Sequence, residues 1–199
     1  RPNSLRAWWL AARPKTLSAA LMPIVAASAF AFTKDSFNWQ PALLCILFAT
    51  LMQIAANFIN DLIDFRRGTD GIERLGPERA CAQGWIKPID MRIGIALVLF
   101  PACMVGLCLL PFGGLPLILI GLACILFAFL YTTLLSYCGF GDVLVYVFFG
   151  FVPVCCTYFV EAGDVLPEIF LLAAGCGLVI DTLLVLNNYR DRTTDRVAG

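Results

Sequence analysis

The chain holds 199 residues, 60% of them hydrophobic and only 14% charged, with 14 basic and 14 acidic side chains in formal balance. A soluble domain carries about 25% charged residues, so an ordinary soluble enzyme is excluded, and zero net charge gives no footing for a nucleic-acid partner. Histidine is absent, which removes the commonest zinc ligand and general base.

Mean hydropathy is +0.85, and several apolar runs reach about 18 residues, the length of a membrane span. The nine cysteines lie mostly inside those runs, and no pair has CxxC spacing. They read as small hydrophobes rather than as a metal cage or a disulfide framework.

The chain opens on Arg1, Arg6, Arg13 and Lys15 around Trp8 and Trp9. Trp at headgroup depth with cations toward phosphate predicts an interfacial segment. The first span is predicted over Thr16–Phe32, with Pro23 inside, and the second over Pro41–Phe65. Residues Arg66 to Arg92 form one long basic connection. Further spans are predicted over Ile93–Leu110, Leu117–Leu135, Val143–Val160 and Ile169–Tyr189. When the loops are numbered alternately, every Lys and Arg except Lys34 falls on one side. The positive-inside rule places that side, and both chain ends, in the cytoplasm.

Span two ends in a polar stripe. Gln53, Asn57, Asn60, Asp61 and Asp64 share one helical face, while Phe58, Ile59, Leu62 and Ile63 take the other. Unpaired carboxylates in an apolar wall are costly, so something positive must face them. A hydrated divalent cation is the simplest candidate. Span six ends in an echo: Asn187, Asp191 and Asp195 at i, i+4 and i+8, with Asn188 beside them. Asp181, deeper in that span, reads as a structural acid. Both clusters end a span and both emerge on the basic side. Two facing carboxylate clusters suit a diphosphate bridged by Mg²⁺, with Arg and Lys completing the neutralisation. Apolar helix walls would hold a lipid tail, which points to a lipid diphosphate that loses pyrophosphate.

These residues carry a resemblance. Asn60-Asp61-x-x-Asp64, with Asn187/Asn188-x-x-Asp191-x-x-x-Asp195, resembles the motifs of the UbiA superfamily of membrane prenyltransferases. Arg13-Pro14-Lys15-Thr16-Leu17, Gly68-Thr69-Asp70, Glu73-Arg74-x-Gly76-Pro77-x-Arg79 and Gly139-Phe140-Gly141-Asp142 are similar to the branch that prenylates 1,4-dihydroxy-2-naphthoate on the way to menaquinone.

The resemblance implies an all-α membrane bundle around a central cavity. It implies Mg²⁺ on Asp61, Asp64, Asp191 and Asp195. It implies a polyprenyl diphosphate and an aromatic acceptor as substrates, with demethylmenaquinone as product. Substrate contacts are expected from Asn57, Asn60, Arg66, Arg67, Asp70, Arg74, Arg79, Asn187, Asn188 and Arg190. Two departures stand out. Gly68 occupies the place of a third acid, for which Asp70 substitutes. Tyr131 is followed by Leu135 where the superfamily often has Lys, so the arginines of the basic connection must serve the diphosphate.

The same fold implies nine helices, whereas six are predicted here. The chain is therefore expected to be one transmembrane domain over 1–199, C-terminally truncated, with little turnover alone. A different aromatic acceptor, such as 4-hydroxybenzoate, or a transporter with intramembrane acids are the competing readings.

The charge asymmetry predicts that an Arg74→Cys substitution stays unlabelled when an impermeant thiol reagent is added outside intact cells. Efficient labelling there would reverse the orientation.

Overall fold

The computed structural model describes residues 2–68, 78–131 and 141–198; the side chains of 187, 188 and 190–198 lie outside that description. All regular structure among the described residues is helical. Helix α1 (Leu5–Ala12) is capped by Ser4, whose hydroxyl accepts from the Ala7 N–H at 3.3 Å. It buries Ala7 and Ala11 and leaves Leu5 and Trp9 exposed, as an interfacial helix should. Arg13 then takes a left-handed conformation, φ 50°. Pro14 starts α2 (Pro14–Thr33) at its first turn, where the missing N–H costs nothing.

Helix α3 (Trp39–Arg67) has 29 residues, about 43 Å at 1.5 Å per residue. That exceeds the roughly 30 Å of hydrocarbon in a bilayer, so one end must project into the interface. The projecting end is the polar one, finished by Arg66, Arg67 and a left-handed Gly68. After a compact turn at 79–86 come α4 (Pro88–Cys108), the short α5 (Leu110–Gly113) and α6 (Pro116–Leu130). Next follow α7 (Gly141–Val145), a π-helical segment (Tyr146–Phe151) and α8 (Val152–Ala162), and α9 (Pro167–Ala198) ends the chain.

Five helical stretches are long and apolar enough to cross a membrane: Pro14–Thr33, Trp39–Arg67, Pro88–Cys108, Gly141–Ala162 and Pro167–Leu186. The chain is a multi-pass membrane protein. The fourth predicted span is α6, with 15 described residues; residues 132–135 of that prediction lie outside the description. Alternation of the spans also holds. Lys34 reaches Glu168 at 3.9 Å, which joins two loops predicted on one side. The Asn3 N–H donates to the Trp85 carbonyl at 2.7 Å, which joins the tail to the basic connection on the other.

The fifth predicted span, Val143–Val160, contains Pro153. The structure has a π turn just before it, with the Val152 N–H donating to the Val147 carbonyl five residues back. A proline removes one ladder donor, and a π turn re-registers the bonds that remain.

Lipid is as apolar as leucine, so burial alone does not hold such helices together; close backbone packing does. Ala27 and Ala31 of α2 are fully buried against Val154 and Tyr158 of α8 and Ala173 of α9. Gly150 and Gly177 bring the π segment and α9 into backbone contact. A Cβ on Gly150 would stand 2.7 Å from the Gly177 Cα and 2.8 Å from the Ala173 carbonyl oxygen. At the other side of the bundle, Gly94 of α4 forms a notch for the Trp8 ring, which also meets Phe58 edge-on at 5.3 Å.

Gly150→Ala should therefore destabilise the bundle by about 1–3 kcal/mol, the usual cost of overpacking. Gly175→Ala, which meets nothing within 4 Å, should not. Thermal unfolding in one detergent separates the two, and equal midpoints would contradict the backbone contact.

Candidate active site

A cavity of about 610 Å³ lies between α2, α3, α6, the π segment, α8 and α9. Along α3 its wall runs from Cys45 to Asn60, about 22 Å at the helical rise. One end is polar, formed by Lys15, Thr16, Gln53, Asn57 and Asn60. The remainder is apolar, with Phe48, Met52, Leu117, Phe127, Phe148 and Val160 among its walls. Phe127 and Phe148 stack at 4.1 Å and 6°, and Tyr131 tilts against Phe127 at 5.6 Å. The long, mostly apolar shape with one polar mouth fits an amphiphile with a charged head.

The polar mouth is built by the break between α1 and α2. Pro14 begins α2, so Lys15 and Thr16 occupy its first turn and face α3. The Thr16 hydroxyl donates to the Arg13 carbonyl at 2.9 Å. It accepts from Gln53 Nε2 at 3.2 Å and from Asn57 Nδ2 at 3.0 Å. Asn57 Nδ2 also donates to the Ala12 carbonyl at 2.8 Å. Asn57 is only 4% exposed, so its amide works chiefly as a clamp between the helix break and α3. Asn60 stands on the cavity wall.

The two acids of the first motif behave differently. Asp61 is 1% exposed; its Oδ2 accepts from the Ala80 N–H at 2.7 Å and its Oδ1 from the Cys81 N–H at 2.9 Å. Asp64 forms an ion pair with Arg79, whose side chain is itself buried. The motif thus gathers the turn that follows the basic connection. Arg66 and Arg67 are exposed at the end of α3. Asp70 and Arg74 lie outside the described residues.

The backbone of α9 is helical through Asn187, Asn188, Arg190, Asp191 and Asp195, whose side chains are likewise outside the description. Leu183, Leu184 and Leu186 line the cavity immediately before that motif. Sequence reasoning missed Lys15 as a cavity residue and treated it as part of a basic tail. The signal was Pro14, which commits the next residues to a helix start.

The sequence profile of the UbiA prenyltransferase family matches residues 20–199. The chain is 35% identical to the 1,4-dihydroxy-2-naphthoate octaprenyltransferase of Haemophilus influenzae, covering 99% of this chain and 68% of that protein. It is 35% identical to the enzyme of the same name from Escherichia coli, covering 98% and 66%. It is 30% identical to the human UbiA prenyltransferase domain-containing protein 1, covering 96% and 57%. The chain spans about two thirds of the length of its bacterial relatives.

Removing the clamp tests the mouth. Asn57→Ala leaves the Ala12 carbonyl without that donor and should cost about 1–3 kcal/mol of stability. Reversible unfolding in mixed micelles measures it. An unchanged stability would mean the amide is not structural.

Proposed function

The chain belongs to the UbiA prenyltransferase family, and from that premise we propose that it transfers a polyprenyl group from polyprenyl diphosphate to 1,4-dihydroxy-2-naphthoate, releasing pyrophosphate and carbon dioxide. The observation that carries the reading is the cavity, charged and amide-lined at one end and apolar for the rest of its length. The diphosphate sits at the mouth and the prenyl chain runs toward Phe48 and Val160. The acceptor ring lies against the aromatic wall of Phe127, Tyr131 and Phe148. A transporter would hold its polar groups near the midplane; these run from the start of α2 along the C-terminal half of α3 toward its polar end. The spans lie in the cell's inner (plasma) membrane, with the basic loops on the cytoplasmic side.

The oxygen donors at and next to the mouth suit Mg²⁺. Asn60 and, one helical turn on, Asp64 are hard oxygen donors, and among the described residues no three His, Cys, Asp or Glu side chains form a metal cage. Mg²⁺ needs no cage, since one or two carboxylates suffice when water and substrate phosphate complete its shell. Asp191 and Asp195 would supply the second pair of acids. When bound, the cation stabilises the departing pyrophosphate as a Lewis acid.

The chain's own residues do the rest. Lys15 adds positive charge beside the diphosphate. The allylic carbon–oxygen bond breaks with its electrons on pyrophosphate. The electron-rich ring forms the new carbon–carbon bond, and the acid group leaves as carbon dioxide. The apolar walls keep water from the allylic cation.

Membranes carrying the protein, given Mg²⁺ and a polyprenyl diphosphate, should prenylate 1,4-dihydroxy-2-naphthoate at least about tenfold faster than 4-hydroxybenzoate. Asp64→Ala should lower kcat by about 100-fold or more. Preference for 4-hydroxybenzoate would replace the acceptor, and absence of pyrophosphate release with either acid would overturn the reading.

A further inference from the structure

Asp61 is the most deeply buried acid among the described residues. Its two oxygens straddle the N–H groups of consecutive residues, Ala80 and Cys81. Charge-assisted bonds of this kind are about twice as strong as neutral ones, and two adjacent amides converging on one anion form a small nest. The turn they hold is compact. Its Ala80 carbonyl accepts from the Trp85 N–H at 2.9 Å and the Ile86 N–H at 3.2 Å, and its Cys81 carbonyl accepts from the Gly84 N–H at 3.1 Å. Ala80, Cys81 and Ile86 are buried against α1, α3 and α4.

Arg79 is the residue immediately before the two anchored amides. Its guanidinium reaches back to Asp64, one helical turn along α3 from Asp61. The first motif therefore grips one turn twice: Asp61 holds the main chain and Asp64 meets the side chain.

We infer that Asp61 is a positioning residue, whose carboxylate anchors the Ala80–Cys81 turn and so places Arg79 against Asp64, and is not a contact of the diphosphate or its cation. The inference rests on the proposed function only for what Arg79 is placed to do; the anchoring is a property of the fold. It separates two acids that the sequence pattern treats alike. Asp61→Asn keeps the shape but turns an amide N–H toward a backbone N–H, and removes the charge both bonds depend on.

Cys81 is a built-in reporter, since it is 3% exposed and loses its cover when the turn lifts. Membranes carrying the unsubstituted protein are treated with a hydrophilic maleimide on the face that bears the turn. Labelling is read peptide by peptide by mass spectrometry, with Cys45 and Cys176, buried in the bundle, as markers of global unfolding.

In the unsubstituted protein, saturating Mg²⁺ with inorganic pyrophosphate should leave Cys81 as protected as before. Asp61→Asn should raise its labelling rate about tenfold with no ligand present, while Cys45 and Cys176 stay protected. In the transfer assay the same variant should raise the KM for polyprenyl diphosphate and leave the half-saturating Mg²⁺ concentration unchanged.

Cys81 that becomes labelled when Mg²⁺ and pyrophosphate bind to the unsubstituted protein would overturn the inference, because a ligating Asp61 must leave the turn. So would a variant with protected Cys81 and a raised Mg²⁺ requirement. If Asp61→Asn exposes all three cysteines, the unsubstituted arm decides alone. A protein that transfers no prenyl group fails the proposed function, while the labelling still reads the anchor.

Discussion

Polar groups on a membrane helix must be answered by polar groups, because lipid offers none. The C-terminal half of α3 carries five of them on one stripe, and the architecture around it supplies the answers. Thr16 and the Ala12 carbonyl, delivered by the left-handed break at Arg13, meet Gln53 and Asn57. The turn at 79–81 meets Asp61 and Asp64. The α1–α2 break and the turn after the basic connection are both docked on one stripe of one helix. Trp8 in its Gly94 notch and Asn3 on Trp85 then tie those two pieces to each other through α1.

That constraint shapes the site. Around α3, at about 100° per residue, Asn60 and Gln53 lie at one edge of the stripe, Asp61 at the other, and Asn57 and Asp64 between them. The cavity takes the Asn60 edge and the turn takes the Asp61 edge. The mouth thus gains a rigid polar rim, and Asp61 and Asp64 are both answered by polar groups. The opposite half of the bundle has a different task. The Gly150–Gly177 contact and the buried alanines of α2 draw α2, α8 and α9 together, closing an apolar wall behind the chain of a lipid substrate.

Much of this was legible beforehand. Hydropathy located the spans, Lys and Arg sorted the loops, and helical periodicity put Asn57, Asn60, Asp61 and Asp64 on one face. The limits were physical. Periodicity tells which residues share a face but not what faces them, and the partner of Asp61 lies 19 residues away in a turn with no pattern of its own. The role of Asn57 as a clamp depends on a left-handed Arg13, a conformation that composition does not announce. Pro153 is visible in the sequence, but the π turn before it is not. Lys15 looked like a topology signal because it sits among other basic residues; only the start of α2 turns it toward the cavity.

The central claim is that one elongated cavity takes the head of a polyprenyl diphosphate at Lys15 and Asn60 and its tail at the Phe48 and Val160 end. Photo-crosslinking with two probes tests it most directly, one bearing a diazirine on the first isoprene unit and one bearing it farther down the chain. The head probe is predicted to mark peptides containing Lys15 or Asn60, and the tail probe those containing Phe48 or Val160. Labelling of the membrane-facing residues Leu97 and Leu119 by the tail probe, or of the same peptides by both, would contradict the account.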